Sequence, residues 1–131
     1  MGIEFEISYH QGLLRVRAWG NDENLEEVQR YSMAVIQACV EHDARLLLCD
    51  ERGLEYELSA TDTYRLAEFI AQNVPAVGKA AIVCAPQHLP DAFFWETTCV
   101  NRGLFVRAFT NMEEAEDWLK INTQHRFTPP C

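Results

Sequence analysis

The chain has 131 residues, 48% hydrophobic and 24% charged, which is the balance of one globular domain and excludes a disordered or fibrous chain. Twenty acidic residues against eleven Lys and Arg give a formal charge of −9, so phosphate backbones and anionic lipid head groups are repelled and no nucleic-acid partner is expected. No apolar run approaches the roughly 20 residues of a membrane span. Residues 1–9 have neither the basic start nor the apolar centre of a secretory signal.

The cysteines indicate the compartment. They are odd in number and widely separated, and four of them lie in apolar stretches: Cys39, Cys49, Cys84, Cys99 and Cys131. No Cys-x-x-Cys pair occurs among them. This pattern predicts reduced thiols in a cytoplasmic protein.

The first third of the chain predicts a hairpin followed by a helix. Residues 3–9 alternate apolar and polar side chains, and a second run, 13–19, follows Gly12, which supplies the turn. Apolar residues then recur at intervals of three and four behind an acidic first turn. This spacing predicts a helix from about Glu23 to His42.

The middle of the chain predicts two strands buried on both faces, 45–50 and 79–84, because each is a short apolar run between polar residues. Between them, Ser59 and Asp62 have the spacing of a helix cap. The helix that Ser59 begins is expected to end at Pro75.

The last third predicts a third helix over 89–102, a strand over 104–109 and a fourth helix capped by residues 110–113. Residues after Asn122 show no periodicity. We therefore expect a domain over residues 1–121 and a flexible C-terminal tail over 122–131.

The order ββαβαβαβα predicts a single-domain α/β sandwich. Strands joined by single helices pair in parallel, so the sheet of about five strands is mostly parallel and four helices cover its two faces. The first strand, joined by a hairpin, is expected to run antiparallel.

This order of elements resembles STAS domains, the family of bacterial anti-sigma factor antagonists, and more closely the small SpoIIAA-like group, which is related in structure to CRAL-TRIO lipid-binding domains. The resemblance covers about residues 2–120 and is carried by four stretches, 46–54, 81–86, 105–109 and 113–119. It implies a SpoIIAA-like fold in a bacterial protein. It also implies a non-enzymatic protein-interaction or regulatory function.

The family's antagonists carry a phosphorylatable Ser or Thr at the start of the helix after the central strand. Ser59 is the nearest match and Thr61 the second, although no Asp precedes Ser59 and no Gly follows it. A phosphate there would add about −1.5 to −2 charge beside the positive end of a helix. The alternative is that Ser59 only caps the helix.

Asp50 and Cys84 each end a predicted strand, so both are expected at the carboxyl edge of the sheet, where open α/β folds bind ligands. With His88 they would make a metal or thiol site. That set lacks a fourth metal ligand, and a buried Cys commonly serves as a small apolar residue. We therefore expect no metal and no cofactor.

The third helix contains three consecutive aromatic residues, Phe93, Phe94 and Trp95, which cannot all face one core because a helix turns about 100° per residue. A helical wheel places Phe93 and Trp95 on the apolar stripe and Phe94 outside it, as a contact residue. Glu96 falls on the same stripe, where it must find a partner, reach solvent or take a raised pKa. One interpretation is that this helix borders a ligand pocket or a dimer seam; the other is that Glu96 lies at the edge of the stripe and reaches water.

Motifs of hydrolases, phosphate-binding loops, zinc proteases and dinucleotide-binding folds are absent from the sequence, so no enzymatic activity is expected. The leading hypothesis is a domain that binds a protein partner or a second copy of itself. The alternative is a carrier of a small apolar or lipid-like ligand, held between the third helix and the sheet.

Overall fold

The computed structural model describes residues 2–73 and 78–125, with side chains through Lys120. A short 3-10 helix, Pro86–His88, precedes the third α-helix. The strands and α-helices are β1 (Ile3–His10), β2 (Leu13–Asn21), α1 (Leu25–His42), β3 (Leu46–Glu55), α2 (Ala60–Asn73), β4 (Lys79–Cys84), α3 (Leu89–Val100), β5 (Val106–Phe109) and α4 (Met112–His125).

The five strands form one sheet in the order β1-β2-β3-β4-β5. β1 pairs antiparallel with β2, and every other neighbouring pair is parallel. The predicted α/β fold is confirmed. Gln11 and Gly12 make the hairpin turn with φ of 53° and 83°, the left-handed backbone that a two-residue hairpin loop requires.

Two predicted boundaries of the first half were wrong. β3 continues beyond Asp50 to Glu55, because after one extra residue in β3 its residues 53–55 pair with residues 19–21 of β2. α1 begins at Leu25, two residues later than predicted, since the Asn24 side chain caps it by accepting the Glu27 N–H at 3.1 Å.

The second half differs at four boundaries. α3 ends at Val100, where the backbone turns at residues 101–103, and β5 begins at Val106. Asn111, not Thr110, accepts the Glu114 N–H at 2.9 Å at the start of α4. α4 runs through His125, four residues past the predicted domain boundary at 121. The predicted helix stop at Pro75 and the tail residues 126–131 lie outside the described residues.

The helices lie on both faces of the sheet, as predicted. α4 covers one face, where Ala115 and Leu119 pack with Leu48, Ala81 and Val83. The other three helices cover the opposite face, because right-handed crossovers between strands in monotonic order all pass on one side. There, α1 contributes Tyr31 and Val35 to a core with Leu14, Val16 and Ile82.

The three crossover helices do not all fit against the strands that they connect. The strands from β2 to β5 span about 14 Å, whereas three helices side by side need about 16–20 Å between their outer axes. Accordingly, α1 contacts β1 and β2, α3 contacts β4 and β5, and α2 packs mainly against α1 and α3. This arrangement leaves space between α2 and the middle of the sheet.

Candidate ligand cavity

The space beneath α2 is a cavity of about 460 Å³, within the range of about 300–1,000 Å³ typical of small-molecule sites. Its lining comes from the sheet and all three covering helices. Most of the lining side chains are apolar, among them Val35, Ile36, Leu47, Leu66, Ile70, Ile82, Trp95 and Val106.

One end of the cavity carries a buried carboxylate, Glu51. On β3, Leu47, Cys49 and Glu51 line the cavity in alternation, because side chains on one face of a strand recur every second residue. Glu51 is 9% exposed, and its two oxygens accept hydrogen bonds from the phenols of Tyr56, at 2.6 Å, and Tyr31, at 2.9 Å.

Burial and these hydrogen bonds act on the protonation of Glu51 in opposite directions. Burial raises the pKa of the Glu51 carboxyl, while the two phenol hydrogen bonds lower its pKa and so favour the charged form. Burial, followed by the nearby Glu51 charge, raises the pKa of the Tyr31 and Tyr56 phenols well above the ordinary value. Both tyrosines therefore stay neutral and act as donors to Glu51.

Asp22 also lines this end of the cavity, just after β2. Its carboxylate accepts the backbone N–H of Glu57 and interacts with that of Leu58, in the segment that leads from β3 into α2. Burial raises the pKa of Asp22 to about 7, and these backbone hydrogen bonds partly offset the effect of burial. Asp22 thus connects the polar end of the cavity to the start of α2.

The aromatic residues of α3 are arranged differently from the helical wheel. Trp95 lines the cavity, as expected for the stripe, but Phe93 and Val100 are each 50% exposed. The prediction that Phe93 faces the core was wrong, because the buried side of α3 is formed by Ala92, Thr98 and Cys99, which turns Phe93 towards the surface.

Phe94 lies at the rim of the cavity, beside α2. It lines the cavity while 37% exposed, and its ring meets that of Tyr64 of α2 edge to face, with 5.6 Å between centroids. The aromatic pair joins α2 to α3 at the surface. A role for Phe94 in self-association stays a prediction.

Glu96 finds a partner in the sheet. Its carboxylate accepts the backbone N–H of Ala108 at 2.7 Å, which ties α3 to β5. Among the alternatives left open by the sequence, the structure favours this fixed hydrogen bond, which positions α3 against the last strand.

Asp50 lies on the sheet face opposite the cavity, since Glu51, its neighbour on β3, points into the cavity. Arg52 donates to both Asp50 oxygens at 2.8 Å and holds the pKa of that carboxyl below its usual value. Asp50 therefore takes no part in the cavity.

The hypothetical site of Asp50, Cys84 and His88 is not assembled. Cys84 is fully buried in a cluster with Ala92 and Ala108, while His88 pairs with Glu55 at 3.1 Å. Burial raises the pKa of the Cys84 thiol, which disfavours the reactive thiolate. Among the side chains that the structure describes, no group of three or more His, Cys, Asp or Glu could hold a metal ion.

The cap predicted at Ser59 is confirmed: its hydroxyl oxygen accepts the Asp62 N–H at 3.1 Å at the start of α2. Ser59 and Thr61 are both exposed. Phosphorylation of either residue stays a prediction.

The polar residues of the cavity, Glu51, Tyr31, Tyr56 and Asp22, were not identified from the sequence. One local signal was present, because Glu51 continues the alternation of Leu47 and Cys49. The strand was expected to end at Asp50, one residue before Glu51, which placed Glu51 in a loop. The tyrosines come from α1 and from the segment after β3, and nothing local pairs them with Glu51.

Comparisons with known proteins support the fold. No protein-family model matches the chain, and no match is found among curated proteins. Among solved structures, an anti-sigma factor antagonist from Mycobacterium paratuberculosis is similar with a TM-score of 0.61 and 14% identity, over 91% of this chain and 95% of that one. An uncharacterised protein with a SpoIIAA-like fold from Shewanella loihica is similar with a TM-score of 0.56 and 20% identity, over 90% and 94% of the two chains.

The chain therefore has the SpoIIAA-like fold that the sequence resemblance implied. At these identities the likeness concerns the fold, and function must be argued from the site. Within the described residues, the helices are too short or too polar to cross a membrane.

Proposed function

We propose that this chain is a non-enzymatic binding domain that holds a small apolar ligand in the cavity beneath α2. The observation that carries the proposal is the cavity itself, about 460 Å³ and lined mostly by apolar side chains. A ligand bound there would remove the apolar surface of these side chains from water, which contributes about 25 cal/mol per Å².

The thiols support binding without catalysis. Burial raises the pKa of Cys49, Cys84 and Cys99, which disfavours nucleophilic thiolates. The four described cysteines are free, which agrees with a reducing compartment such as the cytoplasm.

The first test is binding of N-phenyl-1-naphthylamine, an uncharged apolar probe whose fluorescence rises in an apolar site. We expect saturable binding to the full chain, and a variant that fills the cavity should lose it. Ile70 lines the cavity from α2, so Ile70→Trp is expected to weaken binding by about ten-fold or more. Circular dichroism and urea titration check that the variant folds, because overpacking costs about 1–3 kcal/mol.

Gln72→Trp is the matched control, since Gln72 is exposed on the same helix. It is expected to bind the probe as the wild type does. Equal binding by the wild type and the two variants would place the probe elsewhere on the surface, for example around Phe93, and would refute the proposal. Absence of saturable binding to the wild type would refute it directly.

The second candidate function is a regulatory protein-interaction domain controlled at Ser59 or Thr61. It is favoured by the exposed position of both residues at the start of α2, and by the fold likeness to an anti-sigma factor antagonist. A phosphate there would bring about −1.5 to −2 charge to the first turn of the helix that covers the cavity.

Intact mass of the protein purified from its own host tests this second function. We expect a fraction carrying the mass of one phosphate, mapped by fragmentation to Ser59 or Thr61, and lost in the matching alanine variant. An unmodified chain under all growth conditions sampled, or a phosphate mapped to other residues, would contradict control at this helix start.

A further inference from the structure

The polar end of the cavity contains acidic groups without a cationic partner. Within the described residues, no Lys, Arg or His side chain pairs with Glu51 or Asp22. Buried carboxylates in proteins are commonly paired with a cation or bound to a metal, because removing a charge from water is costly. Glu51 has instead two neutral phenol donors.

Glu51 retains capacity for further donors. A carboxylate offers about four lone-pair sites over its two oxygens. Tyr56 occupies one site on Oε1 and Tyr31 one site on Oε2, so each oxygen can accept another hydrogen bond from the cavity. A primary ammonium carries three donors and a positive charge, whereas a hydroxyl carries one donor and no charge.

The low dielectric of the site makes the sign of the ligand's charge important. An ammonium group beside a buried carboxylate gains a charge-assisted hydrogen bond, which is stronger than a neutral one. A ligand carboxylate at the same place would meet the Glu51 carboxylate as a like charge, next to Asp22, which is partly charged at neutral pH.

The opposite end of the cavity is basic, and the alternative is therefore an anionic head group bound there. Arg45 and Lys79 line it at the amino ends of β3 and β4, about 20 Å along the strand from Glu51. Arg45 is exposed, whereas Lys79 is 7% exposed, with its ammonium 5.0 Å from the centre of the Phe105 ring. The acidic end offers buried hydrogen-bond acceptors to a donor-rich head group, whereas the basic end would favour an anionic one.

We propose that the cavity selects an amphiphile with an ammonium head group, bound by Glu51, with its apolar chain between α2 and the sheet. This inference rests on the proposed ligand-binding function. It names the class of ligand: a lipophilic primary amine.

The test compares three ligands of equal chain length that differ in the head group: dodecylamine, dodecanol and dodecanoic acid. Each displaces N-phenyl-1-naphthylamine from the full chain at neutral pH, below its micelle concentration. We expect dodecylamine to bind about ten-fold or more tightly than dodecanol, with dodecanoic acid weakest. Equal affinities, or tightest binding by dodecanoic acid, would overturn the inference, and the latter would point to the Arg45 end.

Glu51→Gln then assigns the preference to one side chain. It is expected to lower the affinity for dodecylamine about ten-fold and to leave that for dodecanol nearly unchanged. Glu68→Gln, an exposed change on α2 that removes the same charge, is the control and should behave as the wild type. An equal loss in both variants would mean attraction by net charge and would refute a bound head group.

The outcomes separate the two proposals. If neither the neutral probe nor dodecanol binds, the ligand-binding function itself fails. If both bind without preference for the amine, only the head-group inference fails. The ranking in the wild type decides even if Glu51→Gln does not fold.

Discussion

Removal of one phenol hydroxyl from Glu51 gives a quantitative test of the polar end. In Tyr56→Phe the ring remains, but the 2.6 Å hydrogen bond to the buried carboxylate is lost. A hydrogen bond to a charged group contributes about 1.5–3 kcal/mol, so we expect the free energy of unfolding to fall by that amount at mildly alkaline pH. With a urea slope of about 2 kcal/mol/M, the midpoint of unfolding shifts by roughly 1 M.

The loss should depend on pH in a defined direction. Burial raises the pKa of Glu51 in the wild type, and removing a donor to its charged form raises the pKa further. As the pH falls and Glu51 becomes neutral, the difference between wild type and Tyr56→Phe should shrink towards the roughly 0.5–1.5 kcal/mol of a neutral hydrogen bond.

Tyr64→Phe is the control for this experiment. Tyr64 is 48% exposed, and surface substitutions away from special contacts change stability by less than about 0.5 kcal/mol. If Tyr56→Phe lowers the free energy of unfolding no more than Tyr64→Phe does at alkaline pH, water replaces the phenol as the hydrogen-bond donor to Glu51. The polar end would then be well hydrated, contrary to our reasoning.

Two further predictions concern the segments around α2. Asp22 has a pKa of about 7 in the folded protein against 3.8 ordinarily, so the folded state binds the proton more tightly than the unfolded state does. The protonated Asp22 carboxyl therefore contributes fully to the free energy of unfolding below about pH 4, and this contribution is lost as the pH rises to about 7. In urea titrations across this window, Asp22→Asn should therefore gain stability relative to the wild type as the pH rises. Asp117→Asn, an exposed change on α4, is the control and should follow the wild type. Parallel profiles for Asp22→Asn and the wild type would show that Asp22 titrates normally. Ser59→Ala should lower the free energy of unfolding by about 1 kcal/mol, since the cap of α2 is lost. Ser59→Asp retains a capping oxygen and should stay near the wild type. An unchanged free energy of unfolding in the alanine variant would contradict the cap.

The fold could be predicted from the sequence because its signals are local. Alternation in residues 3–19, the cap at Ser59 and the apolar run 79–84 each depend on neighbours within a few residues, and the structure agrees with all three. The strand order then follows from short right-handed connections.

The candidate site could not be predicted in the same way. Tyr31 and Glu51 are 20 residues apart, and they meet only because α1 packs on the sheet face towards which Glu51 points. The wheel for α3 also failed: Phe93 was assigned to the core by its hydrophobicity, but the smaller Ala92 and Thr98 occupy the buried side. Hydrophobicity ranks residues by their average environment, and it does not fix which side of a helix meets its neighbours.

The position of α2 across α1 and α3 has a mechanical consequence. α2 connects β3 and β4, which pair directly with each other, so none of the hydrogen-bonded strand pairings of the sheet involves the helix. All four strand pairings and the packing of α4 on the other face are therefore made without α2. We expect local opening of α2 to cost less free energy than unfolding of the domain, so exchange of the contents of the cavity and global stability can vary independently.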